Sequence, residues 1–159
     1  MPNYALSTRE RAADISMGMR VDRATAAISN GTNTLFNVVG GRVLMTGLVG
    51  EITDAMAAGA TTIRISPLTT DATAVVTHLS SAGTDIASLT ASILVTLPAA
   101  VASGMTVSTG TSAAVCRVMP SYIVKTGAIN LTAGAANVGK MKWTMWYVPV
   151  DDGAYVEAA

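Results

Sequence analysis

Met141, Trp143, Met145 and Tyr147 fall two residues apart near the end of the chain, with Lys140, Lys142 and Thr144 between them. Successive side chains of a strand point to opposite faces, so this alternation predicts a strand with one apolar and one polar face. Trp146 breaks the division, because the same period places it with the lysines. A tryptophan there is either a stray exposed aromatic or an anchor covered by a partner, and with lysines as a polar rim we read it as an anchor. The whole stretch "YIVKTGAINLTAGAANVGKMKWTMWYVPV" predicts strand, turn, strand, loop, strand.

Upstream, "TLFNVVGGRVLMTGLVGEIT" begins at Thr34 with a sharp change to β-branched and large aliphatic residues. Its two apolar runs flank Gly40-Gly41, where missing side chains permit positive φ or a bulge, so it reads as a pair of strands or one bulged strand. In "TTIRISP", Ile63 and Ile65 are expected inward, and Thr62, Arg64 and Ser66 outward. "AVVTHL", "ASILVTL", "MTVST" and "AAVCRVM" follow as short strand-like runs between Ser, Gly, Asp and Pro punctuation. The pattern predicts helix over "GEITDAMAAGA" and a further helical turn near "TDIASL". At least seven short strands with few helices give a mainly β fold, a β-sandwich or barrel-like domain, over residues 34–159.

Residues 1–33 read differently. "STRE" (Ser7, Glu10) has capping-box spacing for a short helix through Ala13. Ile15, Met17, Met19 and Val21 then alternate with Ser16, Gly18, Arg20 and Asp22, which is strand period. So thin a stripe cannot make its own core, and the segment is expected to be an extended N-terminal arm lying on another surface.

Composition narrows the functional classes. Aromatic residues are 4% of the 159, so each buried side chain brings little apolar area and the core gains from association with other subunits. Ten acidic residues balance ten basic ones, without a basic block to draw the chain to nucleic acid or an anionic membrane. The longest weakly polar run, "IASLTASILVTLPAAVASGM", is interrupted by Ser, Thr and Pro98 and does not read as a membrane span. Cys116 and His78 are the only residues of their types, so no intrachain disulfide and no Cys/His zinc site is expected. Cys116 reads as a buried inert thiol in its apolar run. A Ser-His-Asp triad would have to use His78, with Ser80, Ser81, Asp71 and Asp85 nearby in sequence, but G-x-S-x-G is missing. Asp151-Asp152-Gly153 reads as a turn after the last long strand. No glycine pattern for phosphate binding occurs, and no cofactor, metal or catalytic residue is expected.

"TRERAADIS", "TLFNVVGGRVLMTGLVGEIT" and "KWTMWYVPVDDGAYV" together resemble small virion structural proteins of tailed bacteriophages, of the capsid cement or decoration type. The likeness lies in the first third and the last twenty residues. It implies a small β-rich protein without enzymatic activity, often trimeric, that clamps neighbouring major capsid proteins on the capsid exterior after synthesis in the host cytoplasm. The expected interface residues are Ile15, Met17, Met19, Val21 and Trp146. A tail, tail-tip or head-to-tail connecting protein is the alternative within the virion. Outside it stands a carbohydrate-binding β-sandwich module, which would need an exposed aromatic platform from Trp146 and Tyr122.

Overall fold

The C-terminal alternation is realised as a long strand, β10 (Asn137–Pro149), in a computed structural model that describes residues 17–70, 78–80, 83–101, 103–108 and 121–159. Eleven strands are present among those residues. Ahead of β10 come β1 (Met19–Ile28), β2 (Gly31–Val39), β3 (Val43–Asp54), β4 (Thr62–Thr69), β5 (Thr84–Asp85), β6 (Leu94–Thr96), β7 (Thr106–Val107), β8 (Tyr122–Val124) and β9 (Gly127–Ala133). β11 (Tyr155–Ala158) follows it. They form two antiparallel sheets packed as a sandwich. The larger runs β1-β10-β3-β6-β7, with β8 also on β3, and the smaller runs β11-β2-β9-β4-β5.

The chain crosses between the sheets at most of its connections, the short ones above all, and this explains the Gly40-Gly41 break. β2 and β3 are not a hairpin: they lie in different sheets, and the glycines turn the corner between them. Gly40 has φ +76°, and a Cβ on it would stand 2.6 Å from the carbonyl oxygen of Gly153, so a left-handed, side-chain-free residue is required there.

The inward residues of both sheets form one core. Met141, Trp143, Met145 and Tyr147 of β10 are buried with Met45, Leu48 and Ile52 of β3, and they meet Phe36, Val38, Ile63, Ile65, Ile129 and Leu131 of the opposite sheet. Gly50 makes room for this packing, since a Cβ there would lie 2.9 Å from both the Trp143 ring and the Met141 methyl. Full burial of each large side chain contributes about 1.5–3 kcal/mol, so the tryptophan, the methionines and the branched aliphatics together carry a sandwich that is otherwise rich in alanine and glycine.

Three expectations are corrected. "GEITDAMAAGA" is not a helix: Gly50–Asp54 is the end of β3, held by β10 on one side and β6 on the other, and residues 55–60 form an irregular connection. Tertiary pairing overrides the helical preference of an alanine-rich run. "TDIASL" is likewise strand β5 followed by a turn, with Ser88 at φ +58°. Ser66 is 2% exposed rather than outward in solvent, because the segment His78–Ser80 lies over that end of β4 and the Ser80 hydroxyl accepts the Ile65 N–H at 2.9 Å. The "AAVCRVM" run and the capping-box helix fall outside the described residues.

The stretch read as an arm contains β1, which pairs along the chain's own β10 from Met19↔Tyr147 to Ile28↔Asn137. β2 then opens at Gly31, ahead of Thr34. A thin apolar stripe needs no core of its own when its backbone adds to the edge of an existing sheet. Of the four stripe residues, Val21 packs against the core, Met17 is half-buried, Met19 is largely exposed, and Ile15 lies outside the described residues.

Candidate partner-binding face

The outward face of the larger sheet is divided in two. Toward one end, cross-strand neighbours on β10 and β3 are oppositely charged: Lys142 lies opposite Glu51 with Nζ–Oε2 at 2.8 Å, and Lys140 opposite Asp54 with Nζ–Oδ2 at 2.8 Å. On the β1 side, the Thr144 hydroxyl donates to Asp22 Oδ1 at 2.7 Å, and Arg20 binds the same oxygen through Nη2 at 2.9 Å. Partial burial alone would push the Asp22 carboxyl up. The hydrogen bonds from Thr144 and Arg20, with the charges of Arg20 and Lys142, outweigh it and hold the group below the usual carboxylate range. All these charges are neutralised within the chain.

Toward the other end the same face is apolar. Register places Val148 of β10 opposite Leu44 of β3, and Leu44 opposite Ile123 of β8, so three aliphatic side chains line up across three strands. Ile123 is 65% exposed and Val148 39%. Trp146 is two residues along from Val148, and its ring lies over Gly47, whose added Cβ would meet Trp146 Cε3 at 2.9 Å. Between the two halves is a shallow depression of about 210 Å³ lined by Trp146, Val49, Arg20, Thr144, Lys142 and Glu51.

Trp146 therefore sits where the alternation places it, half-buried on the lysine face, while Trp143 points the other way. Met17 is drawn to the rim of the apolar half, where its carbonyl accepts the Thr46 hydroxyl, and the adjoining Gly18 backbone lies against Val148 Cγ2. Met19 and Val21 are on β1, with Met19 48% exposed at the sheet edge. The structure thus brings Met17 and Trp146 to one region and leaves Val21 inward. Sequence reasoning missed Leu44, Ile123 and Val148, whose proximity depends on the pairing of strands distant in the chain.

The residues weighed for chemistry are engaged in holding loops. His78 Nδ1 lies 2.8 Å from Ser66 Oγ, and the serine is buried. The Asp85 carboxylate accepts the N–H groups of Thr61 and Ala87, and Ser80 holds Ile65; Asp71, Ser81 and Cys116 lie outside the described residues. Asp151 binds Arg42 through the guanidinium, Nη2–Oδ1 at 2.6 Å, and through the backbone N–H at 2.7 Å. The side-chain hydrogen bonds of Arg42 dominate, and the Asp151 carboxyl is held down to about 2. This pair pins the corner between β2 and β3 to the turn between β10 and β11. Among the described residues no three His, Cys, Asp or Glu side chains gather as a metal site, and no helix is long and apolar enough to cross a membrane.

Tyr122 shares no platform with Trp146. It pairs with the inward Met45 and packs against the core, and burial pushes its phenol up. Its hydroxyl is buried and has no hydrogen-bond partner among the described residues.

No family model matches the chain, and neither a curated protein nor a solved structure resembles it significantly.

Proposed function

We propose that the chain is a structural protein of a tailed-bacteriophage virion, a cement or decoration protein that bridges neighbouring major capsid proteins on the capsid exterior and catalyses no reaction. One observation carries this reading: the apolar row Ile123–Leu44–Val148 with Trp146 beside it, bordered by charges that are already paired. Specific interfaces have an apolar core containing aromatic anchors and a polar rim. Because the rim charges satisfy each other within the chain, a partner can cover the apolar half without stripping lone charges of water. Repetition of such contacts around a shell multiplies modest single-site affinity through avidity. The resemblance of the terminal stretches to cement proteins supplies the partner, and the sandwich supplies a rigid plate to present the face.

Cryo-imaging of particles carrying the protein, with Ile123→Ser and Trp146→Ala variants in parallel, tests this. Density over the shell that is lost in both variants is the expected result. Density on the tail or connector would move the role elsewhere in the virion, and no association with particles would overturn the reading.

A further inference from the structure

We propose that the edge of β1 pairs with the same edge of a second copy of this chain, antiparallel about a twofold axis at Val21. Among the described residues β1 has one strand neighbour, β10, so its other side presents unpaired backbone N–H and C=O groups. Proteins blunt such edges with charged side chains, proline or bulges. β1 has no proline, its outward charges Arg20 and Asp22 are paired with each other, and its register shifts, between Arg23 and Ala26 and between Ala27 and Ile28, interrupt only the far half. Met19–Arg23 stays regular, each residue paired in turn with Tyr147 back to Trp143. That run is a five-residue template for another strand.

The side chains choose the occupant and the register. Arg20 and Asp22 both stand on the outward face, bonded to each other. With the axis at Val21, Arg20 lies opposite the partner's Asp22 and Asp22 opposite the partner's Arg20, giving four alternating charges across the junction. Moving the axis by one residue sets Arg20 against the partner's Arg20, or Asp22 against the partner's Asp22, and like charges directly opposite destabilise a strand pair. The Arg-x-Asp spacing is therefore self-complementary in one register only. On the inward side Met19, 48% exposed in the single chain, falls opposite the partner's Arg23, whose aliphatic stem covers it. The two larger sheets then join into one continuous sheet. This symmetry is twofold, in contrast to the threefold that the resemblance implies, and the inference does not rest on the virion reading.

Opposed residues in antiparallel strands have Cα atoms about 4.5–5.5 Å apart, within the roughly 4.4–6.8 Å that a disulfide spans. In a Cys116→Ala background, Val21→Cys should oxidise to a covalent dimer, while Val138→Cys, more exposed than Val21 but away from this edge, should not. Sedimentation supplies the second arm. Arg20→Asp should weaken the dimer by about tenfold or more by opposing like charges, and Arg20→Asp with Asp22→Arg should restore it, since the exchanged pattern is again self-complementary. Circular dichroism confirms that each variant folds. A monomer at all concentrations, a trimer, cross-linking of Val21→Cys no faster than of Val138→Cys, or a double variant as weak as the single one would each overturn the pairing. Particle location, read separately, would be untouched by any of these.

Discussion

The two faces of β10 use one tryptophan each to opposite ends. Trp143 is 1% exposed and packs over Gly50 against the opposite sheet, whereas Trp146 lies over Gly47 in a half-open depression. Both rings cover a glycine on β3, both stand in register with it, and they differ only in which side of the sheet they occupy. Burial area alone therefore does not assign a role to an aromatic side chain. Trp143 stabilises the fold because both sheets close on it, and Trp146 presents apolar surface that the chain itself leaves half covered.

Substitutions should separate the faces. The largest effect is expected from Trp143→Ala, which leaves a cavity between the sheets and should cost about 3–5 kcal/mol of stability in chemical denaturation. Trp146→Ala should cost less than about 1 kcal/mol while abolishing retention on particles. Equal losses of stability would erase the distinction. The glycines repeat the contrast at smaller scale. Gly50→Ala forces a methyl into the Trp143 and Met141 packing and should destabilise by about 1–3 kcal/mol. Gly47→Ala meets only a ring with open space beside it, and its thermal midpoint should fall by less than half as much. On the outward face, Lys142→Ala or Glu51→Ala should each shift stability by under about 1 kcal/mol, because the pair is half exposed and screened by salt. The smallest effect lies away from both faces. Asp151 has a folded-state pKa of about 2, below its unfolded value of about 3.9. Its contribution is therefore present above pH 4 and lost as pH falls toward 2. Arg42→Ala should be slightly less stable than the wild type at pH 6, and the difference should vanish near pH 2.

Much of this architecture was legible in the chain. Period-two alternation fixed the inward set of β10 and the outward position of Trp146, because a one-residue shift would invert every side chain of a strand with one buried face. The glycine pair announced a break, and the β-branched runs announced the sandwich. What local pattern does not carry is partnership. Leu44, Ile123 and Val148 are unremarkable in their own segments and become a row only through β10–β3 and β3–β8 pairing. The Arg42–Asp151 pair spans 109 residues and is invisible for the same reason. Ser66 looked outward because alternation describes the strand and not the loop that later covers it. "GEITDAMAAGA" looked helical because its alanines favour a helix locally, while two neighbouring strands hold Gly50–Asp54 extended. β1 looked like an arm because its stripe is thin, and the half-formed edge of the larger sheet was not visible from residues 1–33.

The division of labour between the two tryptophans is the central claim, and the chain holds no others. Trp143→Phe leaves Trp146 as the sole indole reporter, and Trp146→Phe leaves Trp143, so acrylamide quenching of each variant, free and bound to particles, reads each face alone. The account predicts that Trp146 is quenched readily in the free protein and shielded on particles, with Trp143 shielded in both. Equal quenching of Trp146 in the two states, or a Trp143 as accessible as Trp146 in the free protein, would contradict it.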